Sequence, residues 1–188
     1  MLQNIIPINV NYQFLAIITP ILATVASLLT LIKSILPQWL EYRKKPKLEF
    51  KEFVKTNLFE RSSFYHFSYC IKIKKIKGEG NAKGAQGFLT IEGTNIQHVP
   101  LKWYLQNEHC INIQHYDYLW LFSFRDYKNE QSKIIVEHTS EQIKGYFSEY
   151  LKDVKNKKVT ISIKSENSID PEELTDTIEG IMTKSTSF

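Results

Sequence analysis

Lys72-Ile-Lys-Lys-Ile-Lys-Gly-Glu-Gly-Asn-Ala-Lys-Gly84 is the densest run of chemistry-bearing residues in the chain, with glycines at 78, 80 and 84 among its lysines. Glycines beside a lysine can cradle a phosphate when backbone amides converge on the anion. Such a loop needs a strand before it and a helix N-terminus after it. Here Ala85-Gln-Gly-Phe-Leu-Thr-Ile91 follows, which has the pattern of a strand. The run is therefore expected to be a loop between two strands, with its alternating lysines on a solvent face.

Metal and nucleophile chemistry find no footing. His66, His98, His109, His115 and His138 have no His-x3-His spacing, and Cys70 and Cys110 form no Cys-x2-Cys pair. His109 and Cys110 are adjacent, so an extended chain points them to opposite faces. Neither cysteine has a flanking glycine or an orienting acid. No catalytic residue, metal or cofactor is assigned, and the chain is not expected to be an enzyme. The aromatic run Tyr116–Phe124 is apolar on both registers, which suits core packing better than a stacking platform.

What positions these residues is divided sharply along the chain. The first 32 residues carry no charge, and Phe14–Ile32 is an almost unbroken apolar run ending at Lys33. About 20 such residues are what a helix needs to cross a bilayer. A transmembrane helix is expected over 14–36, with Pro20 tolerated inside it and Pro37 and Trp39 as breaker and interfacial aromatic. It lacks the basic n-region of a cleavable signal, so it is expected to be an uncleaved anchor.

Lysine and arginine flank only its C-terminal side, at Lys33, Arg43, Lys44, Lys45, Lys47 and Lys51. The positive-inside rule then puts the N-terminus outside and the soluble domain in the cytoplasm of a single-pass protein at the cell membrane. The absence of an Asn-x-Ser/Thr sequon agrees. So do two cysteines on the polar registers of their strands, which implies free thiols. The net charge of +4 hides a basic body and an acidic tail, since residues 165–188 hold six acids and one lysine. Arg43, Lys44, Lys45 and Lys47 are assigned to membrane-surface contact, with anionic lipid as a partner and nucleic acid not expected.

From Lys47 the apolar period is two. Leu48–Val54, Tyr65–Ile73, Gly87–Ile91, Val99–Leu105, Ile111–Ile113, Tyr118–Phe124, Ile134–Val136 and Val159–Ile163 give about eight short strands, the pattern of an antiparallel sandwich. Thr139-Ser-Glu-Gln142 has the form of a capping box, and Ile143, Tyr146, Phe147, Tyr150, Leu151 and Val154 recur at helical spacing. One amphipathic helix packed on the sandwich is expected there. Asp170-Pro-Glu-Glu173 suggests a second helix start, with frayed residues after Lys184.

Tyr42-Arg-Lys-Lys-Pro-Lys-Leu-Glu-Phe50, Gly80–Ile91 and Leu101-Lys-Trp103, behind an N-terminal span, resemble a loose group of small single-pass prokaryotic membrane proteins. The resemblance covers residues 14–125. It implies an immunoglobulin-like sandwich and no activity.

The expected organisation is a short segment 1–13, a transmembrane helix 14–36, a basic linker 37–47, a mainly β sandwich 48–165 and an acidic helix or tail 166–188. The expected function is non-catalytic: a membrane-anchored binding module, of accessory-subunit type in a membrane complex, with another protein as partner and the bilayer held through 14–36. The alternative is an exported surface, sensor or adhesion module of the same fold, and a small enzyme ranks last.

Overall fold

The computed structural model describes residues 12–60, 64–127, 131–140, 143–169, 171 and 173–187. The segment before Tyr12, Gln142 of the capping-box sequence, and Asp170 and Glu172 of the acidic helix start lie outside them. The chain divides into two units, residues 1–44 and 45–188.

The described part of the first unit is a helix, α1 (Tyr12–Lys44). At 1.5 Å per residue it is about 50 Å long, longer than a hydrocarbon core needs. Among its described residues the apolar side chains stand exposed, Leu22 at 61% and Leu31 at 59%. Thr24, Ser27 and Thr30 donate their hydroxyls to the carbonyls of Pro20, Ala23 and Ala26 at 2.8, 2.8 and 2.9 Å, so these polar groups are satisfied inside the helix. The helix was expected to stop near Leu36, but it runs through Pro37 to Lys44. Pro46 explains the true end, because a residue before proline is pushed out of helical conformation.

The second unit is mainly β. One sheet has the order β11-β1-β2-β6-β7-β8, built from β1 (Lys47–Glu60), β2 (Phe64–Lys77), β6 (Tyr116–Tyr127), β7 (Lys133–Ser140), β8 (Ile143–Tyr150) and β11 (Thr186–Ser187). The other runs β10-β9-β3-β4, from β3 (Ala82–Ile91), β4 (Val99–Pro100), β9 (Lys158–Lys164) and β10 (Leu174–Thr177), with β5 (Ile111–Ile113) paired to β3. One hydrophobic core draws on both sheets, including Ile71, Ile73, Leu119 and Phe122 from the first and Leu89, Ile91, Ile161 and Ile163 from the second. Alternation at period two places most of these side chains inward, and a register shift in β6 between Trp120 and Phe122 lets both Leu119 and Phe122 do so.

Trp103 is at the centre of this core, fully buried, with its indole N–H donating to the Ala85 carbonyl at 3.1 Å. The segment around it is not the strand that its alternation suggested beyond Pro100. Leu101 donates its amide to Gly87 on β3, while Tyr104 and Trp120 exchange backbone bonds with Tyr118 and Lys102 along β6. The chain thus crosses from one sheet to the other here. It occupies the side of β6 that β7 leaves vacant before Ser123.

The expected amphipathic helix over 139–154 is corrected. β7 and β8 pair in antiparallel register from Lys133↔Tyr150 to Ser140↔Ile143, and only α2 (Leu151–Val154) is helical. Ile, Tyr and Phe at 143, 146, 147 and 150 favour an extended chain, Gly145 disfavours a helix, and β7 offers an open backbone edge. The capping box and the helical spacing were local signals that strand pairing outweighed.

The tail also differs from expectation. Leu174–Thr177 is a strand against β9, and α3 (Ile178–Lys184) starts at Thr177, whose Oγ1 accepts from the Gly180 amide at 2.9 Å. Ile178 and Ile181 are fully buried in the core. The last residues are not all frayed, since Thr186 and Ser187 pair in parallel with Val54 and Lys55.

Candidate functional site

The antiparallel register of β1 and β2 sets Lys47 opposite Lys77, Leu48 opposite Lys75 and Glu49 opposite Lys74. Residues 25 to 30 positions apart in sequence therefore share one end of the sheet. Ile76 is the unpaired residue where the register shifts between Lys47 and Leu48. The turn after β2 closes on the start of the domain: Gly78, at φ +95°, lies against the Lys45 carbonyl and Pro46 so closely that a Cβ would collide with backbone. The Lys75 ammonium donates to the Gly80 carbonyl at 2.6 Å, bracing that turn.

Lys45, Lys74 and Lys77 are exposed and Lys47 and Lys75 half-buried. Two of the nearby acids have other partners, while Glu79 in the turn and Glu173, which lines a groove with Lys47 and Ile76, are exposed. Glu49 pairs with Lys51 at 2.5 Å, and hydrogen bonding from Lys51 holds its carboxyl below the usual range. Glu52 pairs with Lys72 at 2.9 Å, which raises the lysine pKa. Among the described residues no salt bridge engages Lys45, Lys47, Lys74, Lys75 or Lys77.

Two apolar groups stand exposed in this cationic surface. Ile76 is 42% exposed, and Tyr116, which pairs with Lys74 across β2 and β6, is 52% exposed. The Tyr116 ring meets Tyr118 edge-on at 5.8 Å, and the Lys72 ammonium lies 4.9 Å from it.

Of the residues assigned to membrane contact from sequence, Arg43 and Lys44 form the last turn of α1, and Lys45 and Lys47 open the β-domain. The Arg43 guanidinium lies over the Trp39 ring at 4.2 Å, a cation–π contact within the helix. Lys74, Lys75 and Lys77 were legible as a lysine run but not as neighbours of Lys47. Only the strand register joins them. The loop expected at 78–84 is shorter, covering 78–81 with Gly78 and Gly80 at positive φ, because β3 already begins at Ala82 and takes in Gly84, also at positive φ, where its pairing with β5 is irregular.

The cysteines part company. Cys110 is exposed, as its register suggested, and both thiols are free. Cys70 is corrected: it is buried in a small second cluster with Val54 and Tyr118, covered by Tyr104 and Trp120. The polar register of β2 was expected to face solvent, but the crossing segment 102–104 roofs it at this point. Burial pushes the Cys70 thiol up to about 12. His66 is buried too, and desolvation, followed by the charge of Arg125, lowers its pKa.

Comparison with protein-family models, curated proteins and solved structures finds no match for this chain. Function is therefore argued from this surface and from α1.

Proposed function

We propose that this chain is a single-pass membrane protein whose β-domain faces the cytoplasm and works by binding. The observation that carries the reading is α1: an apolar helix, uncharged as far as Ile32 and with its described apolar side chains exposed, ending in Arg43 and Lys44 and leading directly into Lys45 and Lys47. Basic residues on one flank alone favour their retention on the cytoplasmic side. Binding is favoured over catalysis because the most concentrated chemistry on the domain is cationic side chains around exposed aromatic and aliphatic groups. Such a surface recognises anions and apolar edges. The partner is a component of the membrane or of a membrane complex. The order β1-β2-β6 against β4-β3-β9-β10 supports an immunoglobulin-like reading of the sandwich.

Alkaline carbonate extraction of membranes from cells producing the full chain tests the anchor. The protein should stay with the membranes, and mass spectrometry should find peptides from before Ala23. Release into the carbonate supernatant, or a mature N-terminus near residue 27, would refute an uncleaved anchor.

A further inference from the structure

We propose that the β1–β2 end of the domain is a docking surface for an anionic lipid leaflet, formed by Lys45, Lys47, Lys74, Lys75 and Lys77 with Ile76 and Tyr116 as apolar contacts. This rests on the anchored reading above and adds a ligand to it.

Three observations converge on lipid. First, positive charge is concentrated and in excess: five lysines meet here, the register places Lys77 against Lys47, and of the acids beside them Glu49 and Glu52 pair chiefly with Lys51 and Lys72, which leaves Glu79 and Glu173. Like charges opposed across strands are unfavourable, so a nearby polyanion gains from relieving them. Second, the mixture suits an interface. Lysine ammoniums at the level of phosphates, with an aliphatic and a tyrosine side chain reaching the acyl boundary, is the composition of peripheral membrane contacts. Ile76 and Tyr116 are among the few large apolar side chains of the domain that are exposed. Third, the chain itself keeps this surface near a bilayer. Lys45 follows the last residue of α1 directly, and three residues span at most about 11 Å, so Lys47 stays that close to Lys44. The turn at Gly78 is packed against Lys45 and Pro46, which ties the second set of lysines to the same place.

A lipid leaflet is favoured over an acidic protein because tethering makes its effective concentration high without a specific fit. Each basic residue near an anionic surface shifts the equilibrium roughly fivefold, so losing three should lower the docked-to-undocked ratio roughly a hundredfold.

The test uses the full chain in lipid nanodiscs, either purely zwitterionic or containing phosphatidylglycerol. A spin label is placed at Asn81→Cys, exposed in the turn, in a Cys110→Ser background, where buried Cys70 does not compete. A second label at Gln131→Cys reports the far end of the sheet. That position lies beyond the Lys133↔Arg125 pair, about 30 Å along β6 from Lys74. Relaxation by a paramagnetic ion chelated to the lipid head groups reads distance from the leaflet. The label at 81 should relax strongly in anionic discs and weakly in zwitterionic ones, and the label at 131 in neither. The triple variant K74Q/K75Q/K77Q should lose the effect, and the Arg triple variant should keep it. At 1 M salt, where the screening length is about 3 Å, the effect should vanish.

Equal relaxation at 81 in both lipids overturns the proposal, as does an unchanged response in the Gln triple variant while the protein still co-elutes with discs. Failure to co-elute with discs overturns the anchored reading instead, and the proposal with it.

Discussion

Lys47 and Lys77 stand directly opposite each other across the first and last residues of a 14-residue strand pair. Opposed like charges on a sheet are unfavourable, and their exposure to water and salt softens the cost without removing it. Lys77→Glu should therefore stabilise the isolated fold by about 0.2–1 kcal/mol, the range of a cross-strand ion pair. Urea unfolding of the protein in neutral detergent measures it. A destabilised variant would mean that Lys77 has a structural role beyond its charge.

The Gly78 turn ties the lysine-rich strand end to the start of the domain. Gly78→Ala adds a Cβ against the Lys45 carbonyl at φ +95°, a conformation that costs an L-residue about 1–3 kcal/mol before the collision is counted. Gly80→Ala, with open space around it, should cost less although its φ is also positive. Equal losses would argue against the close contact.

Trp103→Ala should cost about 3–5 kcal/mol, the usual range for emptying a large core site. Trp103→Phe keeps much of the volume but loses the bond to Ala85, so a smaller loss is expected. A loss below about 1 kcal/mol for Trp103→Ala would place that side chain outside the core.

Burial gives the fold an alkaline weakness. Cys70 and Tyr69 both have pKa values raised to about 12 by desolvation, from ordinary values of 9.0 and 10.0. The unfolded chain loses these protons first, so their stabilisation is complete below about pH 9 and declines as the pH rises toward 12. Cys70→Ala should flatten the decline between pH 9 and 10, read from melting temperatures in a pH series. An unchanged slope would mean that Cys70 titrates normally in the folded state.

Much of the fold was legible because period-two alternation survives wherever one face of a strand is buried, as at Ile71 and Ile73 or Ile161 and Ile163. The region 139–154 was not, because Ile143, Tyr146, Phe147 and Tyr150 satisfy a helical spacing while pairing with β7 decides the structure. Cys70 looked solvent-facing because alternation cannot see a crossing segment, here Lys102–Tyr104, that covers the second face. Arg43, Lys44, Lys45 and Lys47 could be read as a basic cluster from adjacency alone. Lys74, Lys75 and Lys77 could not be added to it, since the register that joins them is a long-range property.

The orientation of the domain is the claim on which the binding reading most depends, and Cys110 gives direct access to it. That thiol is exposed and Cys70 is buried, so a membrane-impermeant maleimide should report a single site. With the full chain in intact cells, Cys110 should remain unlabelled, then react fully once the membrane is permeabilised, and a Cys110→Ser variant should abolish the reaction. Labelling of Cys110 in intact cells would put the β-domain outside and contradict the account.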